Sequence, residues 1–274
     1  ILAQAKQPLI VLNTTPACDF SPRQALEEIE YNHGIHGVQD MCNLLVRKNK
    51  EFFFEAGHWK ESDVLDRVLK CVRAAKLASN MRRSRVGRIG DYFKGMGDFS
   101  VPLEEMKSVI GIETISYDFD ANRELLDGIS ECEIRAEMQR DRMNYMCEGI
   151  EEEIHRRTTL TCLAVRRWIE REKLTAFTVN FLAVDRTSGL PCVPFMEASK
   201  AMARGTGYAG EGDVLTAALV GALTSIYPET TFTEMFCPDW KNNSIFISHM
   251  AEINVSLAAC KPRMKELDFE YTDA

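Results

Sequence analysis

Gly205-Thr206-Gly207-Tyr208-Ala209-Gly210-Glu211-Gly212-Asp213 reads as a glycine-rich turn leading into an almost wholly apolar helix, Val214 to Ile226. Before it, Phe195 to Arg204 reads as a helix. After it, Thr231 to Phe236 reads as a strand, and a second strand ends in Ser248-His249-Met250. Gly205, Gly207 and Gly210 have the G-x-G-x-x-G spacing, but that dinucleotide fingerprint must follow a strand and open a helix. The helical stretch before Gly205 removes that context, and a strand there would restore it.

Three residues able to bind a metal or move a proton, Glu211, Glu234 and His249, stand at the edges of these apolar elements. Alternate residues of a strand share a face. Glu234 therefore shares its face with Phe232 and Phe236, where an unpaired carboxylate is costly, and His249 shares its face with Ile245 and Ile247. Pro238, Asp239, Asn242 and Asn243 supply turn chemistry between the two strands. A simple hairpin sets Glu234 opposite Ile247 with His249 as its diagonal neighbour, roughly 7–8 Å away, a spacing suited to ligands that share an ion. A buried Glu–His hydrogen bond of structural value is the alternative.

The 274 residues suffice for one large domain or two. A net charge of −8 argues against a nucleic-acid surface. No apolar run approaches a membrane span and no secretory leader is seen. Nine scattered cysteines without a C-x-x-C pair read as reduced thiols of a cytoplasmic protein. The start at Ile1, close to the apolar run Leu9 to Leu12, reads as a piece of something longer.

Strands are expected at Pro8–Leu12, Glu51–Phe54, Arg85–Ile89, Glu113–Tyr117 and Ala176–Phe181, with helices between them. Asn32-His33-Gly34-Ile35-His36-Gly37 reads as a loop with two imidazoles, a candidate anion or hydroxyl site. Residues 122–171 read as charged helices whose arginines form a solvated face, with His155 exposed among them. The alternation predicts an α/β fold of parallel, Rossmann-like or flavodoxin-like layers, with ligands beyond the strand C-termini near Asn13, Gly90 and Phe181. From Thr230 the pattern changes to strand after strand, the start of a β-rich C-terminal domain. The expected divisions are 1–84, 85–228 and 229–274.

Gly207 to Asp213, continued by Thr216-Ala217-Ala218-Leu219, closely resembles the central segment of L-arabinose isomerases. Phe232 to Glu234 and Ser248-His249-Met250-x-Glu252 resemble the family's next blocks. Gly57-His58-Trp59, Gly90-Asp91 and Ala176-Phe177-Thr178 match it upstream, and the related L-fucose isomerases share the broad architecture. The resemblance implies a homo-oligomeric aldose–ketose isomerase that uses a divalent ion, usually manganese, on a free sugar. It places two metal-bound, proton-moving glutamates on Glu211 and Glu234 and a histidine ligand on His249. It places a substrate-contacting histidine on His36, near a pocket shared between subunits, and pocket-lining positions on His33, Phe93 and Phe181. His33 stands where the family has glutamine and Phe93 where it has methionine. A further histidine ligand of the family, from its C-terminal β-domain, has no counterpart in these residues. A homologue that binds a sugar or sugar acid without isomerising it is the alternative reading.

Overall fold

The apolar runs Ile10–Asn13 (β1) and Phe53–Ala56 (β2) pair in parallel, Ile10 beside Phe53 and Asn13 beside Ala56. They belong to the first of two compact units, Ile1–Ala78 and Ser79–Ala274, of a computed structural model that describes residues 1–274. Helices α1 (Leu26–Asn32), α2 (Ile35–Arg47) and α3 (Val64–Met81) complete the series, α3 ending past Ala78. The loop expected from Asn32 to Gly37 is corrected. Only His33 and Gly34 separate α1 from α2, so His33 closes one helix and His36 lies in the first turn of the next.

In the second unit four parallel strands, β3 (Arg85–Ile89), β4 (Glu113–Ser116), β5 (Ala176–Val179) and β6 (Gly207–Gly210), lie in the order β4-β3-β5-β6. Val86 neighbours Thr114 on one side and Ala176 on the other, and Ala176 neighbours Gly207. β3 leads to β4 through α4 (Leu103–Glu105) and a π-turn, Met106–Ile110. Three helices, α5 (Arg123–Asp127), α6 (Glu131–Asn144) and α7 (Glu152–Arg171), link β4 to β5. α8 (Phe195–Ala203) links β5 to β6, and α9 (Val214–Thr224) follows. The chain thus moves from β3 to one side and returns to the other, which makes the C-terminal ends of β3 and β5 a topological switch point.

Part of the glycine-rich stretch is therefore a strand, not a turn. A Cβ on Gly207 would lie 2.2 Å from the Gly221 nitrogen, so glycine at both positions lets α9 lie directly on the sheet. On α7 the buried residues Cys162, Val165, Trp168 and Ile169 recur at helical spacing. Trp168 meets Tyr117 edge-on with ring centres 4.9 Å apart.

Arg157 and Arg171 are exposed as expected, but the solvated face is corrected at His155 and Arg166. His155 is 3% exposed and lies 3.1 Å from Asp141 Oδ2, while Arg166 reaches Glu137 and Glu197, both buried. Positions 155, 159, 162 and 166 recur at the spacing of one helix face, and carboxylates on neighbouring helices let charged residues turn inward there.

β7 (Glu234–Asp239) and β8 (Ser244–Ser248) form a separate antiparallel hairpin. Its register corrects the expected one. Glu234 pairs with Ser248, not Ile247, and Phe236 is an extra residue between Met235 and Cys237. The turn sets this pairing: the Asp239 carboxylate accepts from the Lys241 and Asn242 amides at 3.1 and 3.2 Å, and Asn243 takes a φ of 49°. All nine cysteines are free thiols. No helix is long and apolar enough to cross a membrane.

Candidate active site

The loops that leave β3, β5 and β6 are tied together at the C-terminal edge of the sheet. Gly210 is followed by Glu211 at φ 61° and Gly212 at φ 85°, two consecutive left-handed residues that turn the chain from β6 into α9. For glutamate that conformation is uncommon and costs on the order of 1–3 kcal/mol, so it persists only where the surroundings hold it. The Phe93 amide donates to the Glu211 carbonyl at 2.9 Å. The Gly212 amide donates to Thr178 Oγ1 at 3.1 Å, and that hydroxyl donates to the Gly210 carbonyl at 3.0 Å. A Cβ on Gly212 would come within 2.6 Å of Tyr92 Cα and 2.7 Å of the Asp91 oxygen. Asn180 fixes Asp91 in turn, donating from Nδ2 to its carbonyl at 2.8 Å. The Asp213 side chain caps α9 by accepting from the Thr216 amide at 2.9 Å.

His249 follows β8 and packs edge-on against Phe232, with ring centres 4.7 Å apart. Its Nδ1 lies 3.0 Å from the Glu252 carbonyl oxygen and 3.2 Å from Glu252 Oε2. Both contacts call for a proton on Nδ1, which leaves Nε2, on the Gly210 side, as the basic nitrogen of the neutral ring. Glu252 is 3% exposed, and its other oxygen accepts a hydrogen bond from the fully buried Tyr208 hydroxyl. Tyr208, Glu252 and His249 thus form a chain from the sheet interior to the imidazole.

Burial raises the Glu211 carboxyl above the ordinary range, and the charges of Glu234 and Glu252 push it the same way while His249 opposes them. Burial alone would lower His249. Its hydrogen bonds to Glu252 and the charges of Glu252 and Glu234 outweigh that and hold it above the ordinary imidazole range. Three carboxylates and an imidazole therefore sense one another's charge. Glu211 and His249 are half-buried and Glu234 is exposed.

Of the residues expected in the site, Phe93 and Phe181 touch, with ring centres 5.6 Å apart, and Phe93 is bonded to Glu211 through its backbone. Glu211, Glu234 and His249 are brought within electrostatic reach, but no three acidic, histidine or cysteine side chains converge closely enough to enclose an ion. His33 and His36 lie in the first unit, exposed, with ring centres 5.8 Å apart. Tyr208 and Glu252 were not among the expected site residues. The available signal was an acid three positions after a ligand-like histidine.

The donor chemistry fits a hard divalent ion. Two carboxylates and an imidazole suit manganese or magnesium better than a thiolate-loving metal. A histidine whose second nitrogen is engaged by a buried carboxylate is the arrangement metal-ligating imidazoles ordinarily have.

Residues 88–227 match the family model of the L-arabinose isomerase central domain. Among curated proteins, the L-arabinose isomerase of Herpetosiphon aurantiacus is 27% identical over 281 residues, covering 96% of this chain and 55% of the relative. The L-arabinose isomerase of Shewanella baltica is 25% identical over 280 residues, again 96% of this chain and 55% of the relative. That of Halalkalibacterium halodurans is 26% identical over 279 residues with the same two shares, 96% and 55%. The chain spans about half the length of the curated relatives it matches. The matched segment takes in the end of β3, β4 to β6, α9 and the strained Glu211 turn, and on that match the chain belongs to the L-arabinose isomerase central-domain family.

Proposed function

We propose that the intact protein converts a free aldose of the L-arabinose type to its ketose, with Glu211 and Glu234 as the proton-moving pair. One observation carries this reading: within the matched segment, Glu211 is held in a strained left-handed turn at the C-terminal edge of the sheet, in the field of Glu234, Glu252 and His249. Isomerisation takes a proton from the carbon beside the aldehyde and returns one to the former carbonyl carbon through an enediol. Glu211, whose acid form is favoured by burial, is the group suited to holding that proton. Glu234, exposed on the hairpin, is the group suited to taking up or giving back protons at the sugar oxygens. Phe93 and Phe181 offer an apolar wall to the sugar carbons. Glu211, Glu234 and His249 Nε2 would hold a divalent ion, which when bound polarises the carbonyl and stabilises the developing oxyanion. Manganese is the ion proposed, and the Tyr208–Glu252 chain would fix the imidazole toward it.

The same reading takes the protein to be a cytoplasmic homo-oligomer whose sugar pocket, including His36 and His33, is shared between subunits. Incubating the intact protein with L-arabinose and a panel of pentoses and deoxyhexoses, with and without manganese, tests the activity. Ketose formation that requires the metal is expected, and no ketose from any sugar would overturn it. The exposed position of Glu234 and the unconverged donors favour a second reading, a homologue that binds sugar without turnover. Saturable sugar binding with no product would identify that case. A monodisperse, fully active monomer would dismiss the shared pocket.

A further inference from the structure

Between α6, α7 and α8 lies a cavity of about 210 Å³ whose charges are sorted by depth. The carboxylates are inside: the side chains of Glu137, Asp141 and Glu197 are 5%, 2% and 0% exposed. Glu137 accepts from Arg140 at 2.6 and 2.9 Å, from Arg166 at 2.8 Å and from Lys200 at 2.9 Å. Asp141 is paired with Lys200 and lies 3.1 Å from His155 Nε2. Glu197 accepts from Arg166 at 2.9 and 3.1 Å and from Arg204.

The guanidiniums face the other way, with Arg140 and Arg204 side chains 56% and 41% exposed. All these contacts run through Nε or Nη2, leaving the Nη1 groups of Arg140, Arg166 and Arg204 without a partner carboxylate. An arginine carries five N–H donors in a fixed fork and no acceptor. Four cations, Arg140, Arg166, Lys200 and Arg204, therefore line the cavity against three carboxylates, two of them in its lining and all already paired, which leaves one positive charge in excess. Glu197 supports the cations from behind. Asn144 and Tyr145 also line it. None of Glu211, Glu234 and His249 lines this cavity.

We infer that this cavity is a binding site for a small dianionic oxyanion, phosphate or the phosphate group of a metabolite. Planar guanidinium forks match phosphate oxygens in geometry and charge, and the buried carboxylates hold those forks in place before an anion arrives. The site is independent of the sugar chemistry and can be tested without any turnover.

Inorganic phosphate is titrated into the intact protein by calorimetry at fixed ionic strength, with chloride as the matched control. Saturable one-to-one binding is expected, together with a rise in melting temperature that chloride does not reproduce. Arg140→Gln combined with Arg204→Gln should weaken it at least tenfold, because two guanidinium forks and their charge are lost. In that variant Glu137 keeps Arg166 and Lys200 as partners and Glu197 keeps Arg166, so the fold should survive. If it does not melt cooperatively, Arg204→Lys alone, which keeps the charge and loses the fork, should still weaken binding. Arg142→Gln, which removes the same charge from the same helix outside the cavity, should leave binding unchanged. No saturable binding, equal binding by the arginine variants, or equal loss in Arg142→Gln would each overturn the inference. Phosphorylated sugars titrated in parallel distinguish a metabolite from the free ion.

Discussion

Glu211 takes a φ of 61° in a turn that glycine would adopt without strain. Its side chain must justify that cost, and the proposed proton transfer does so. Glu211→Gln and Glu234→Gln should each keep the melting temperature within a few degrees and lower turnover of the intact protein by about 10²–10⁴-fold, the usual contribution of a positioned acid or base. Wild-type rates in either variant would remove that residue from the mechanism. Glu252 tests the support of His249 separately. Glu252→Gln keeps the shape but weakens the hold on Nδ1 and on the Tyr208 hydroxyl. Manganese affinity, measured by calorimetry, should fall about 10–100-fold, as second-layer changes commonly do. Tyr208→Phe should give a smaller change of the same sign. Unchanged affinity in Glu252→Gln would make the pair a packing feature only.

At the scale of the element, β6 and the β7–β8 hairpin separate what the sequence makes legible from what it does not. The run Val214 to Ile226 predicts α9 because only a helix next to a sheet is that uniformly apolar, and the structure places it at Val214–Thr224. β6 is hidden because two of its four residues are glycine, a composition that signals a turn unless the partner helix is known. The hairpin register is hidden for a different reason. It depends on the extra residue Phe236 and on the Asp239 turn, both decided by local backbone geometry and invisible to period-two alternation. His155 shows a third limit, since its burial depends on Asp141 one helix away. The roles proposed for Glu211, Glu234 and His249 rest on their chemistry and on the family resemblance, whereas the contact of Glu252 with Tyr208 and His249 depends on how the chain folds. Gly207→Ala tests the element directly. Its Cβ would collide with the Gly221 backbone, which cannot swing aside, so a loss of about 3 kcal/mol or more is expected, at or beyond the top of the usual overpacking range. Urea denaturation measures it, and a loss below about 1 kcal/mol would mean that α9 can lift from the sheet.

For the whole molecule, the charged cluster between α6, α7 and α8 makes stability depend on acid. Burial alone would raise the Glu137 carboxyl, but Arg166, Lys200 and Arg140 outweigh it and hold the group far below the ordinary range. The folded value is below the unfolded one of about 4.3. Its stabilising contribution is therefore complete above that pH and is lost as the pH falls toward the folded value. The melting temperature should drop on acidification below about pH 4, and Glu137→Gln should flatten that drop. At neutral pH the same substitution should cost about 3–5 kcal/mol by leaving buried cations underpaired. An acid profile unchanged by Glu137→Gln would show that other carboxylates govern it.

The strand order has a consequence during synthesis. β3 is central in the sheet, and its neighbour β5 lies about ninety residues later, Ala176 beside Val86. At roughly 5–20 residues per second the ribosome needs about 5–18 s to supply that partner. Until then Val86 and Ile89, both fully buried at the end, have an open edge beside them. Slower translation lengthens that exposure, so the yield of folded protein should respond to elongation rate and to chaperones that shield strand edges.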